Sequence, residues 1–156
     1  MPERIQLRRV RGWRLPAGAV SVARPTRWGN PFRYRTDSAL ARVPAALGDG
    51  DWEYEGRISA AGMQHDYHHP DGRVTICHIR YMTLEEVVDT YRRALTGDYS
   101  PSMRSASPSG RFLRVTAADA RRDLAGKSLA CWCPLPAPGK PDLCHAAVLL
   151  EVAAGA

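Results

Sequence analysis

Leu129-Ala130-Cys131-Trp132-Cys133-Pro134 is a short apolar run closed by a proline, and it reads as a buried β-strand. Side chains two apart on a strand share a face, so Leu129, Cys131 and Cys133 point one way and Ala130 and Trp132 the other. The stretch that answers it is Cys144-His145-Ala146-Ala147-Val148-Leu149-Leu150, which reads as the start of a C-terminal helix. Together they bring three of the four cysteines and one histidine to a single strand-loop-helix corner.

Three chemistries fit the spacing Cys-x-Cys-x10-Cys-His. Cys131, Cys133, Cys144 and His145 could form a three-cysteine, one-histidine zinc set, although zinc knuckles usually place two residues between their cysteines rather than one, and adjacent Cys144 and His145 do not both reach one metal easily. Alternatively, Cys144 and His145 could be catalytic. A thiol in the first turn of a helix is acidified by the dipole, and a neighbouring imidazole can act as acid, base or anion donor. The third reading is packing, since free cysteines often serve as small buried hydrophobes. For Cys77 alone, packing is the expectation. Strand geometry disfavours a Cys131–Cys133 disulfide.

Outside this corner, the 156 residues predict one α/β domain, large enough to bury a core without disulfides. No apolar run approaches the length of a membrane span. The N-terminus carries no apolar signal core, so a cytoplasmic location and reduced thiols are expected. The formal charge is +6, with nine arginines in residues 1–35 (Arg4, Arg8, Arg9, Arg11, Arg14, Arg24, Arg27, Arg33, Arg35) against one acid, Glu3. Such a block suits phosphates, of a nucleotide or of nucleic acid. Only Lys127 and Lys140 are lysines, so a general arginine bias explains the residue type but not the clustering.

Ile5–Val10 alternates and reads as an edge strand, and Ala19–Ala23 as a central one. Arg24-Pro25-Thr26-Arg27-Trp28-Gly29-Asn30-Pro31-Phe32 is too rich in turn formers for a regular element. Its aromatics could stack on a base and its guanidinium groups bind phosphate, with Gly29 allowing a positive φ or a close approach to a ligand. The competing reading is a loop pinned to the core by its own aromatics.

Residues 37–82 look like an elaboration. Ser38–Leu47 predicts a short helix and Trp52–Ile58 a weak strand. Pro70-Asp71-Gly72 predicts the turn of a β-hairpin whose second strand is Arg73–Tyr81. His65, His68 and His69 near that turn could suggest a metal, but an exposed polar turn is the plainer expectation. Thr83-Leu84-Glu85-Glu86 is a capping box opening a helix to about Leu95, ended by Gly97. Residues 98–110 read as a mobile loop, Thr116 as the cap of a helix over 117–124, and Asp142 as a cap for the last helix. The sum is a compact single α/β domain with a small mixed sheet flanked by helices and a β-hairpin insertion.

The motifs assembled here resemble the uncharacterised bacterial and phage family known as domain of unknown function 4326. They are Ile5-Gln6-Leu7-Arg8-Arg9 with Gly12-Trp13, the Arg24–Phe32 loop, Leu129–Pro134, and Cys144-His145-Ala146 before Val148-Leu149-Leu150. The resemblance covers roughly residues 4–36 and 83–153, with 37–82 as a family-variable insertion. Ala147 stands where the family commonly has Asp. The resemblance supplies no reaction, but it implies that the Trp-Gly-Asn-Pro loop and the Cys-His helix start belong to one site.

The leading expectation is therefore a protein that binds a nucleotide, nucleoside or modified base. Arg24, Thr26, Trp28, Gly29 and Asn30 would hold it, and Cys144 and His145 would bind an anionic group or act on it by group-transfer or glycosidic chemistry. The alternative is a non-enzymatic nucleic-acid-binding module, with the arginines on phosphates and a structural zinc on Cys131, Cys133, Cys144 and His145. A partner-binding accessory protein is a third option.

Overall fold

A computed structural model describes residues 1–56, 59–107 and 109–155. The chain divides into two compact units, residues 1–30 with 113–156 and residues 31–112. No helix among the described residues is long and apolar enough to cross a membrane.

The first unit holds a three-stranded parallel sheet in the order β1-β7-β2, built from β1 (Arg4–Gln6), β2 (Val20–Ser21) and β7 (Leu129–Cys131). The most apolar strand is the central one: Leu129 and Ala130 have no exposed surface. All three residues of β7 are buried and both residues of β2 only partly so, which suits β7 to the middle of a parallel sheet. Val20–Ser21, expected to be central, is an edge strand. Helices α3 (Ala117–Leu124) and α4 (His145–Ala153) pack on each other, and α4 also contacts β1 and β7. Thr116 caps α3 reciprocally with Asp119. The first residue of α4 is His145 and its N-cap is Cys144, not Asp142.

The second unit holds a four-stranded antiparallel sheet in the order β4-β3-β6-β5, from β3 (Leu40–Val43), β4 (Glu53–Tyr54), β5 (Gln64–His68) and β6 (Val74–Tyr81). β5 and β6 form the hairpin expected across Pro70–Gly72. Its helices are α1 (Leu84–Thr96) and α2 (Pro101–Ala106). The α1 capping box is complete, and Gly97 closes it in the left-handed conformation with φ 80°. Phe32, Tyr54, Tyr99 and Phe112 form a ring cluster, with neighbouring centroids 5.3–5.7 Å apart.

The α/β class stands, with parallel and antiparallel pairing divided between two sheets. Two further local expectations fail. Ser38–Leu47 holds the strand Leu40–Val43 rather than a helix, because pairing with both β4 and β6 outweighs the alanine propensity. Residues 98–110 contain α2, where Ser100 accepts from the Met103 N–H and Pro101 opens the helix. The weak strand read at 52–58 survives as Glu53–Tyr54, and its end at Arg57-Ile58 lies outside the described residues.

Candidate metal and nucleic-acid site

The thiol corner is built by the end of β7 and the N-cap of α4. Alternation carries past the strand end, so Cys131 and Cys133 turn the same way and their sulfurs lie 3.8 Å apart. Cys144 is extended, as an N-cap must be, and its sulfur accepts from the Ala146 N–H at 3.4 Å. The sulfurs of Cys131, Cys133 and Cys144 all lie within 4.8 Å of one another, and no other such ligand cluster occurs among the described residues. Two sulfurs on a tetrahedral zinc sit about 3.8 Å apart, given Zn–S bonds of about 2.3 Å. The Cys131–Cys133 pair already has that spacing.

His145 is buried beside the thiols. Its Nε2 lies 2.7 Å from the Val22 carbonyl, and a carbonyl can only accept, so Nε2 carries the ring proton. The other nitrogen, Nδ1, lies 3.9 Å from the Cys144 sulfur. An imidazole that donates one nitrogen to a backbone carbonyl and turns the other toward thiols has the arrangement usual for metal-bound histidine.

The thiols interact strongly. Close sulfur contacts with Cys133 and Cys144 hold the Cys131 thiol well below its ordinary value, with His145 adding to the effect. Cys144, as a donor to Cys131 and Cys133 and buried, is pushed far up. All four cysteines are free thiols; Cys77, wholly buried, is raised by burial and serves packing.

The connection between Cys133 and Cys144 is held by a residue whose place in the basic block suggests phosphate. Arg4 donates to the carbonyls of Cys133 and Pro134, both at 2.8 Å, and pairs with Asp142 at 3.0 Å. The parallel pairing of β1 with β7 puts Arg4 there, a long-range relation with no local signal.

The Arg24–Asn30 loop turns most of its groups on itself. Arg24 donates to the Asn30 carbonyl at 2.9 Å, and the Thr26 hydroxyl donates to the Ala23 carbonyl at 2.6 Å. Trp28 is only 4% exposed, with the Arg27 guanidinium 4.6 Å from its ring centre, and Arg27 is tied to Asp123 at 2.6 Å. Asn30 is buried. Gly29 has no positive φ; its closeness is to Arg24, whose Cγ a methyl group would meet at 2.8 Å.

The three histidines near the hairpin do not converge. His65 pairs with Glu55 at 2.6 Å, His69 bonds Thr75 at 2.7 Å, and His68 is exposed. In the second unit a cavity of about 480 Å³ is lined by Trp52, Glu53, Asp89, Arg93 and Tyr99 among others, but Glu53 is engaged by backbone N–H groups and Asp89 by Arg93.

A parallel sheet carrying a thiol-histidine corner defines a small α/β domain with a metal-type donor set. Residues 5–155 match the family described as Domain of unknown function (DUF4326), and the chain belongs to that family. No curated protein and no solved structure matches it.

Proposed function

We propose that the protein is a non-enzymatic nucleic-acid-binding module whose first unit is organised by a structural zinc. The observation that carries this reading is the convergence of the Cys131, Cys133 and Cys144 sulfurs within 4.8 Å, at tetrahedral spacing for one pair. His145 stands outside that sulfur group, with Nδ1 3.9 Å from the Cys144 sulfur, and is the nearest candidate for the fourth donor, its tautomer fixed by the Val22 carbonyl. Zinc so held would join the strand end to the helix start. A reducing, cytoplasmic setting keeps such thiols available. Arg8, Arg9, Arg11 and Arg14 are exposed and supply the cations for phosphate, with Arg9 lying against Trp132 of the corner.

The small-nucleotide reading asks for an open Trp28 face. The buried indole supports the module better.

Metal analysis of protein purified without chelator tests the reading. About one zinc per chain is expected, falling in Cys131→Ser and Cys144→Ser variants, and cobalt substitution should give the thiolate charge-transfer bands of a tetrahedral site. Metal-free protein with the same thermal stability before and after added zinc would end the zinc assignment. Absence of any binding to DNA or RNA at low salt would end the module.

A further inference from the structure

We infer that Trp132, with Arg9 stacked on it, is the platform on which this protein stacks an unpaired base of a single-stranded nucleic acid. The inference rests on the nucleic-acid-binding reading and names the form of nucleic acid and the residue that grips it.

The platform follows from the strand that forms the corner. Cys131 and Cys133 turn inward, so Trp132 between them turns outward, and it is 44% exposed. Among the large hydrophobic side chains of the described residues, it is the only tryptophan left in the open. β1 runs beside β7, and the Leu7 N–H donates to the Cys131 carbonyl at 2.9 Å. The chain leaving β1 therefore passes Trp132, and the Arg9 guanidinium lies 4.8 Å from the centre of the indole. Arg8 and Arg11 are exposed on either side of Arg9, and Leu135, 48% exposed, adds apolar surface.

Exposed indole, stacked guanidinium and flanking cations form the combination that single-strand binders use: a π-face for a base and charges that follow the phosphates. A paired base inside a duplex cannot offer its face to the ring, so the indole selects single strands. The arginines alone would serve either form. Because Trp132 stands between two sulfur donors, the backbone that sets the thiols also sets the ring.

The test is fluorescence anisotropy with a fluorescein-labelled oligothymidylate and a duplex of equal length, at low salt, with zinc content measured on every preparation. Trp132→Ala should weaken single-strand binding roughly 10- to 100-fold, Trp132→Phe should recover most of it, and Arg9→Ala should weaken it severalfold. Zinc content should stay at the wild-type ratio in all three. Duplex affinity should change little in the Trp132 variants. Wild-type single-strand affinity in Trp132→Ala would overturn the platform while leaving the module standing. Wild-type protein that binds neither probe would bring down the module reading itself.

Discussion

Arg4 Nη2 donates to the backbone carbonyl of Cys133 at 2.8 Å, across 129 positions of chain. The same guanidinium takes the Pro134 carbonyl and the Asp142 carboxylate, so one side chain spans both ends of the segment between two candidate zinc donors. Its side chain is only 7% exposed, and the contacts need a planar fork. Arg4→Ala is expected to cost about 2–3 kcal/mol, because it leaves two carbonyls and a half-buried carboxylate without their donor. Arg4→Lys should recover only part of the loss, because an ammonium cannot reach all three acceptors in one plane. Thermal unfolding of both variants, with and without added zinc, checks this; an unchanged Tm in Arg4→Ala would count against the clasp.

Gly29→Ala tests why the Arg24–Asn30 loop needs a glycine. The new methyl would sit 2.8 Å from Arg24 Cγ and 3.0 Å from Arg24 Cα. The second of these neighbours is backbone, so rotating the Arg24 side chain does not relieve the crowding. A loss of about 1–3 kcal/mol is expected from the forced displacement. Arg24→Ala clears the space at Cγ but leaves the Arg24 backbone where it is. It should therefore rescue Gly29→Ala only partly in a double-variant unfolding measurement.

Much of this was legible in the sequence where the determining relation is local. The Thr83/Glu86 and Thr116/Asp119 boxes close over three residues, the Pro70–Gly72 turn fixes its own hairpin, and strand alternation alone brings Cys131 and Cys133 to one side. The relations that escape are long-range. Nothing near Arg42 says that its partner is Glu53 across β3 and β4, so the stretch reads as helical. Composition near Trp28 and Trp132 does not say which indole is covered. Trp28 sits in the loop with the more suggestive composition and is buried; Trp132 sits in a run that reads as core and is open. The inward turn of its two neighbours was the available signal.

Glu86 makes part of the stability of the second unit depend on pH. Burial pushes its carboxyl up, but the Arg80 guanidinium and the Thr83 backbone N–H outweigh burial and hold it below its ordinary value. The Arg80 contact is 2.6 Å and the Thr83 contact 2.9 Å. A carboxyl depressed by folding stabilises the native state fully above its unfolded pKa, about 4.3. That contribution disappears as pH falls through the lower folded value. Arg80 is 43% exposed, so screening limits the effect. Glu86→Gln should cost about 1 kcal/mol at pH 7 and converge with wild type once pH falls below the depressed folded value, as read by urea unfolding at pH values on either side of it. A constant difference at both would show that the loss is cap geometry rather than charge.

Glu53 decides whether the loop after β3 can hold its form. Its carboxylate accepts from the backbone N–H groups of Ala46, Leu47 and Gly48 at 2.6–3.1 Å and from Arg42 at 2.8 Å, and both charged side chains are 3% exposed. Removing one partner strands the other as a buried charge, so Glu53→Ala is expected to cost about 3–5 kcal/mol. Arg42→Leu should cost less, because the three N–H donors still partly compensate the carboxylate. The Arg42→Leu, Glu53→Leu double variant should be less destabilised than the sum of its singles, since no unpaired charge remains, only three orphaned N–H groups. Denaturant unfolding of the full cycle separates the two effects. If the singles simply add, the pair is not a coupled unit, and the carboxylate's partners are the backbone groups alone.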